Sequence, residues 1–250
     1  MALRIRFGGF QLGFPLYWLL LSLSGAVLFF DLGRWQWHRA AEKRVIAAEF
    51  ATATAVGEPL GGRSPGALAR YARIEIAGHF DADHQFLLDN MNHGSQAGYQ
   101  VLTPFRLEDG RWWLVNRGWT PLVDGGRAKL PDLTLLTPAS GTLQINGRVD
   151  ELPVAGLASG RAAPALTGGW PRLTSFPTTA DLSASLGQAL APRQLLLNAD
   201  QPQGFVRDWQ PASSSFPPER HMAYAVQWWS LAVLSVGLYL VMNLRRVRNS

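Results

Sequence analysis

The chain carries two long uncharged stretches, one near each end, and a middle part in which apolar and polar residues alternate. Residues 7–30 and residues 222–244 contain no Asp, Glu, Lys or Arg. About 20 apolar residues suffice to cross the hydrocarbon core of a bilayer, so each stretch predicts a transmembrane helix. We place the two helices at residues 14–33 and 220–243.

A cleavable signal peptide is the alternative interpretation of the first stretch. Such peptides have a shorter apolar region and small residues at the cleavage site. Here the stretch is long and leads into Phe29, Phe30 and Asp31. We therefore expect an uncleaved anchor, with Tyr17 and Trp18 at the depth of the membrane interface.

Short strands separated by turns are predicted for the middle of the chain. The segments with strand-like patterns are 71–80, 85–88, 99–107, 113–115, 143–149 and 194–197. The best hairpin signal is Asp109-Gly110, because glycine supplies the positive φ of a tight turn. Residues 178–190 predict one helix, with Asp181 in its first turn. Two stretches rich in Gly, Pro, Ala and Ser predict loops, at 56–66 and at 152–171, and we expect the second to be mobile.

Together these elements predict an α+β membrane protein, in which two transmembrane helices flank a mainly β extracytoplasmic domain with one or two helices. The β-rich domain covers residues 51–219. The remaining segments are a cytoplasmic N-terminus, a juxtamembrane helical extension and a cytoplasmic basic tail, at residues 1–13, 34–50 and 244–250. The pattern leaves open whether the strands close into a barrel or form an open sheet.

The basic residues are concentrated beside the predicted membrane helices. The chain has a net charge of +5 and a pI near 10.1. Residues 51–218 contain 13 basic and 14 acidic residues, whereas the flanks contain 10 basic and 4 acidic ones. Because the excess positive charge lies among Trp35 and Trp37, it suits lipid headgroups, and we do not expect binding to nucleic acid.

Basic residues also predict the orientation in the membrane. Arg4 and Arg6 precede the first helix, and three arginines follow the second, at positions 245, 246 and 248. The positive-inside bias places both termini in the cytoplasm and the central domain outside. Four basic residues after the first helix oppose this prediction, namely Arg34, Arg39, Lys43 and Arg44.

Several chemical classes are disfavoured by what the chain lacks. It has no cysteine, which excludes disulfides and thiolate ligation of copper, zinc or iron–sulfur clusters. It has neither a phosphate-binding glycine loop nor a nucleophile elbow. Glu108 and Asp109 are explained by the turn rather than by paired carboxylate catalysis. We therefore do not expect an enzyme.

Two groups of residues in the β-rich region are interpreted as structural. His79, Asp81, Asp83 and His84 have ligand-type spacing, but they lie at the end of a strand, where side chains diverge, so we expect a turn rather than a metal site. His93 is interpreted as a solvated loop histidine.

The motif at residues 116–121 closes the predicted 113–115 strand. It combines Arg117, Trp119 and Pro121, residue types that can fix the end of a strand. A stability motif is one interpretation, and a docking site for a partner is the other.

The second transmembrane helix presents one stripe of aromatic and small residues below a histidine. At 100° per residue the stripe contains His221, Tyr224, Ala225, Trp228, Ala232 and Ser235. Neutral imidazole is an iron ligand, and small residues admit a planar macrocycle or another helix. The residues leave both interpretations open: a site for a flat, metal-bearing cofactor, or packing against the first helix.

Four segments resemble the Surfeit locus protein 1 family of cytochrome c oxidase assembly factors. They are 32–39 together with Lys43, 98–104, 115–121 and 221–228, in this order along the chain. The sequence departs from the family pattern at Trp37 and His38. The resemblance implies a two-helix protein of the bacterial inner membrane, with a periplasmic domain, that helps mature the catalytic subunit of the oxidase in respiratory chain complex IV.

The resemblance also implies heme a binding, with His221 as the metal ligand. We then expect a carrier that shields heme a and releases it to oxidase subunit I, with heme a synthase as a further partner. Tyr224 and Trp228 are secondary heme contacts, and Gln227 is a weaker candidate facing another helix. Arg39 is expected to contact the heme propionates, although membrane anchoring explains its segment as well. The alternatives are a scaffold that binds no heme and a membrane-tethered periplasmic enzyme.

Overall fold

The computed structural model describes residues 3–7, 10–14, 16–52, 57–123, 129–133, 141–155, 160–202, 204–210 and 216–246. The strands in this part of the chain are β1 (Leu3–Phe7), β2 (Phe10–Phe14), β3 (Glu58–Pro59), β4 (Arg73–Phe80), β5 (Phe86–His93), β6 (Gln96–Leu107), β7 (Trp112–Pro121), β8 (Leu143–Asp150), β9 (Arg172–Thr174), β10 (Leu190–Leu197) and β11 (Leu244–Arg246). The α-helices are α1 (Leu16–Thr52), α2 (Thr179–Leu186) and α3 (Pro218–Asn243).

The chain divides into two compact units. The terminal unit comprises residues 1–51 and 210–250, and the β-domain comprises residues 52–209. In the terminal unit, α1 and α3 are both long and apolar enough to cross a membrane. Most of their apolar side chains are exposed, as lipid-facing residues are. The predicted class, an α+β membrane protein with terminal helices around a β domain, is confirmed.

A small sheet joins the two ends of the chain in the terminal unit. β2 pairs with β1 on one side and with β11 on the other, and both pairings are antiparallel. β1 and β2 precede α1, whereas β11 directly follows α3. The segment that precedes α1 and the segment that follows α3 therefore lie side by side.

The β-domain is built around a closed barrel of five strands. The sheet order β4-β8-β10-β7-β6 returns to its start because β6 also pairs with β4. Only the β10–β7 pairing is parallel among these. β6 is long enough for this double role: its first half pairs with β5, and its last three residues pair with β4. The structure thus decides in favour of a barrel.

The barrel interior is filled by alternate residues of all five strands. Each strand contributes two buried apolar side chains to one cluster: Ile74 and Ile76, Phe105 and Leu107, Trp113 and Val115, Ile145 and Val149, and Leu195 and Leu197. This period of two follows from the pleat of a strand, which turns successive side chains to opposite faces. The predicted alternation of residues 71–80 is therefore the inward face of β4.

Closure of the barrel requires glycine at position 78. A Cβ atom built at Gly78 lies 2.1 Å from the carbonyl oxygen of Arg106 on β6. Real side chains do not tolerate such contacts, so only glycine lets the two backbones pair here. The register aligns Gly78 with Leu107.

The hairpin predicted around Asp109-Gly110 is confirmed. β6 and β7 are antiparallel, and the Leu107 amide donates to the Arg111 carbonyl at 2.8 Å. Gly110 has a φ of 85°, the value for which glycine is needed. Asp109 accepts a hydrogen bond from the Arg111 backbone, which supports its role in the turn.

The helix predicted at residues 178–190 is too long at its C-terminal end. α2 ends at Leu186, because Gly187 adopts a left-handed cap with φ of 75°. Leu190 already belongs to β10. Leu182 of α2 packs on the outer face of the sheet against Phe86 and Leu88.

Two other predictions for the β-domain are wrong in part. The 116–121 motif does not close a strand at Val115, since β7 continues to Pro121. His93 is not a loop residue: it ends β5, and its Nε2 contacts Asp208 Oδ2 at 2.7 Å. In both cases pairing with β6 extends the strand beyond its local pattern: His93 pairs with Gln96, and Pro121 pairs with Gly98. The predicted loop at 56–66 contains the short β3 and the first residues of a 3-10 turn at Pro65–Ala67.

Arg117 is fully buried within β7. Its Nη1 donates to Gln85 Oε1 at 3.1 Å, and its guanidinium lies over the rings of Phe80 and Phe205. Burial, and then the positive charge of Arg207, lower the pKa of Arg117 to about 10. These contacts agree with the stability interpretation of the motif.

We expect Trp113→Ala to destabilise the β-domain strongly. Trp113 has no exposed surface, and its Nε1 donates to the Arg193 carbonyl at 2.6 Å, so truncation leaves a cavity and an unpaired carbonyl. Such changes cost about 3–5 kcal/mol. Urea unfolding of the full chain in detergent, followed by circular dichroism, measures the loss. Val154→Ala, at an exposed position, is the control and should change stability by less than about 0.5 kcal/mol.

Asp181, in the first turn of α2, should make the stability of the β-domain depend on pH in the acid range. The pKa of Asp181 is lowered from 3.8 to about 2, first by hydrogen bonds from the Thr178 hydroxyl and backbone and then by Arg161. Because the folded pKa is the lower one, this stabilisation is complete above about pH 4 and is lost as the pH falls towards 2. In Asp181→Asn the free energy of unfolding should fall less between about pH 4 and pH 2 than in the wild type. An equal fall in the two proteins would contradict the assignment of this pH dependence to Asp181.

Candidate functional site

α1 and α3 lie antiparallel and contact each other at regular intervals. Three residue pairs connect them: Ser22 with Ser235, Phe29 with Trp228, and Gln36 with His221. Successive pairs are seven residues apart on both helices. Seven residues are two helical turns, the repeat at which two helices keep one face in contact. The same face of α3 therefore carries His221, Trp228 and Ser235.

Small residues allow this close approach. Ala225 of α3 and Ala40 of α1 have no exposed surface. A Cβ atom built at Gly33 would lie 2.3 Å from Nε1 of Trp229, so the indole ring occupies the space that a side chain would take. Trp229 Nε1 also donates to the Phe30 carbonyl at 3.3 Å. Small residues on both helices thus allow the two backbones to pack closely.

His221 is buried at the contact between the two helices. It is 9% exposed, and its Nδ1 lies 2.7 Å from Oε1 of Gln36. An amide oxygen only accepts hydrogen bonds, so this contact fits the tautomer in which Nδ1 carries the proton. In that tautomer Nε2 carries the lone pair. The ring of Phe216 contacts the imidazole edge-on, with centroids 4.5 Å apart.

Two cationic residues of α1 lie within electrostatic range of His221. Arg39 and Lys43 both act electrostatically on His221. Arg39 is half-exposed and forms an ion pair with Glu42 at 2.6 Å. One turn earlier, Arg34 pairs with Asp31 at 3.2 Å. The guanidinium of Arg39 can therefore reach a carboxylate beside His221 only by sharing or exchanging its partner Glu42.

The other predicted site residues are divided between two faces of α3. Trp228 is half-buried, and its ring stacks on Phe29 with centroids 5.7 Å apart. Tyr224 is 44% exposed and lies parallel to the ring of Phe216, 6.1 Å away. Gln227 is exposed. The structure thus places Arg39 within electrostatic range of His221, but it does not place Tyr224 or Gln227 on the face that meets α1.

Gln36 was not identified as a site residue from the sequence. Two features of the sequence point to Gln36. It continues the seven-residue spacing of Ser22 and Phe29, and it belongs to the 32–39 segment. Local periodicity on one helix does not reveal this, because the partner lies 185 residues away on another helix.

The donor set at His221 is compatible with a metal-bearing macrocycle. Metal-binding histidines typically donate their second ring N–H to an oxygen, as Nδ1 of His221 does to Gln36. Among the residues that the structure describes, Nε2 has no hydrogen-bond partner. The ring of Phe216 contacts the imidazole, and Tyr224 lies parallel to Phe216, so the aromatic residues on this side suit a flat, apolar group.

The histidines of the β-domain have structural partners. Nδ1 of His84 lies 2.8 Å from both carboxylate oxygens of Asp81, and Nε2 of His79 contacts Oγ1 of Thr142 at 3.2 Å. The segment is a turn, as predicted. Over the described residues no group of three or more His, Asp or Glu side chains has the arrangement of a metal site.

Comparison with known proteins places the chain among a recognised group. A model of the SURF1 family matches residues 23–233. A SURF1-like protein of Monosiga brevicollis is 32% identical over 150 residues, covering 55% of this chain and 55% of that protein. An uncharacterised SURF1-like protein of Mycobacterium tuberculosis is 30% identical over 173 residues, covering 68% of this chain and 59% of that protein.

The chain spans 55% to 59% of the length of these curated relatives. The matched region nevertheless includes most of both long helices and the whole β-domain. This agrees with the four sequence segments, which are distributed over the same elements. The chain therefore belongs to the SURF1 family, as its resemblance to the Surfeit locus protein 1 family predicted.

Proposed function

We propose that the protein assists assembly of cytochrome c oxidase by holding heme a through His221 and delivering it to subunit I. Membership of the SURF1 family is consistent with a role in oxidase assembly, and proteins of this family are assembly factors rather than known enzymes. The observation that carries the heme part of the proposal is the hydrogen bond from His221 Nδ1 to Gln36, which leaves Nε2 free to bind iron.

The surroundings of His221 suit a hydrophobic cargo that must be released. Phe216 and Tyr224 offer aromatic faces, and Arg39 and Lys43 supply positive charge for two propionates. Heme a supplies the iron that a neutral imidazole ligates, whereas the protein supplies one ligand, apolar cover and charge. A single protein ligand binds less firmly than two, which favours transfer to subunit I.

A scaffold role is the second candidate function. The small-residue stripe below His221 is covered by α1: Ala225 has no exposed surface, and Trp228 stacks on Phe29. If the helix pair serves only as an anchor, docking of oxidase subunits would belong to the β-domain. The two functions differ in whether the purified protein contains heme.

The membrane orientation also belongs to this proposal. We place both termini in the cytoplasm, the two helices in the bacterial inner membrane and the β-domain in the periplasm, with heme a synthase as the donor of the cargo. The sheet formed by β1, β2 and β11 supports a common side for both termini, since strands hydrogen-bond only when they are adjacent.

We expect His221→Ala to remove heme from the purified protein. Without the imidazole the iron loses its ligand, and the heme content should fall roughly 10-fold or more. The measurement is the visible spectrum of protein purified from cells that make heme a. His79→Ala is the matched control, because His79 is exposed in the β-domain. A wild-type protein without heme would refute the carrier function and favour the scaffold.

Orientation can be tested by single-cysteine labelling, because the chain contains no cysteine of its own. Val154→Cys places a thiol at a position that is 85% exposed in the β-domain. It should react with a membrane-impermeant maleimide in cells with a permeabilised outer membrane. Ser250→Cys should react only after the inner membrane is broken. The reverse pattern would invert the topology.

A further inference from the structure

We propose that Gln36 is the positioning residue for His221, and that it selects the imidazole tautomer in which Nε2 binds iron. This inference rests on the proposed heme-carrier function and assigns a role to a residue of the opposite helix. Gln36 does not touch the iron. It acts through the hydrogen bond that its Oε1 accepts from His221 Nδ1 at 2.7 Å.

The hydrogen bond decides which ring nitrogen can be a ligand. A neutral imidazole has one N–H and one lone pair, and iron binds only the lone pair. In free histidine the Nε2–H tautomer predominates, which would leave the lone pair on Nδ1. The carbonyl oxygen of Gln36 favours the opposite tautomer, because only Nδ1–H can donate to it. Gln36 therefore prepares Nε2 before any ligand arrives.

Packing holds both partners in place. Gln36 and His221 occupy the same heptad series as Ser22 with Ser235 and Phe29 with Trp228. One turn away from Gln36, Ala40 is fully buried on one side, and on the other side the indole of Trp229 occupies the space beside Gly33. The edge of Phe216 contacts the imidazole ring. Contacts with Gln36 and Phe216 therefore hold the imidazole ring of His221 in one orientation.

An amide is also the acceptor that suits reversible binding. A carboxylate at this position would draw the Nδ1 proton more strongly and make the imidazole a more basic, firmer ligand. The amide of Gln36 fixes the tautomer without adding negative charge. No negative charge on residue 36 then competes with the propionates for the positive charge of Arg39 and Lys43, which both act electrostatically on His221.

The first test needs no heme. The apoprotein is labelled with ¹⁵N in its histidine rings, and the His221 signals are assigned by their loss in His221→Ala. We expect the Nδ1–H tautomer in the wild type. In Gln36→Leu, which has similar size but no acceptor, we expect the Nε2–H tautomer to dominate. An unchanged tautomer in Gln36→Leu would overturn the proposal, whatever the protein binds.

The second test measures heme binding. Hemin titration of the full-length apoprotein in detergent should give roughly 10- to 100-fold weaker affinity for Gln36→Leu than for the wild type. Gln36→Glu retains an acceptor and should restore binding, with a higher iron–histidine stretching frequency in the resonance Raman spectrum of the reduced form. A purely structural role would not move that frequency.

Ser22→Ala is the matched control. It removes another hydrogen bond between α1 and α3, from Ser22 Oγ to the Ser235 carbonyl at 2.9 Å, without touching His221. Its hemin affinity should equal that of the wild type, and equal losses in Ser22→Ala and Gln36→Leu would overturn the positioning role. If the wild type binds no hemin, the carrier function fails, whereas the tautomer measurement still decides whether Gln36 positions His221.

Discussion

The constraint on which the terminal unit depends is the seven-residue register between α1 and α3. Two helices that cross in opposite directions stay in contact only if residues at this spacing suit one another. Here a serine pair, an aromatic pair and a Gln–His pair occupy successive positions. Gly33 and Ala225 keep the backbones close enough for these contacts. A shift by one residue would separate all three pairs at once.

This register also fixes the position of His221. Small residues and stacked rings bring the helices together, and the Gln36–His221 pair lies at one end of the series. At that position the imidazole of His221 is oriented by an amide from the other helix, with cationic residues of α1 close by. Packing of this helix against α1 and the proposed ligand binding are therefore compatible. The deeper pairs provide the rigid support, and His221 at the end remains able to use its second nitrogen.

The β-domain is stabilised by different means. Its barrel closes without disulfides, since the chain has no cysteine, and it relies on two inward-facing apolar side chains from each strand. Buried polar residues on β7 join neighbouring strands: Asn116 donates to Gln100 on β6 and to Gln194 on β10. Arg117 is buried beside them at a cost that its contacts with Gln85, Phe80 and Phe205 offset. These contacts make the 116–121 segment part of the framework of the domain.

The sequence by itself determined the features that depend on local pattern. Two uncharged runs predicted the apolar parts of α1 and α3, strand-like patterns predicted all or part of β4 to β8 and of β10, and Asp109-Gly110 predicted the β6–β7 hairpin. Hydrophobic periodicity and turn chemistry act over a few residues, so the sequence reveals them. Four motifs identified the family, and one of them contained His221. Only the tertiary structure decided that β6 closes a barrel with β4, that β7 extends to Pro121, and that Gln36 is the partner of His221. Each of these depends on residues far apart in the chain, whose contacts arise from pairing and packing and leave no local periodicity to detect.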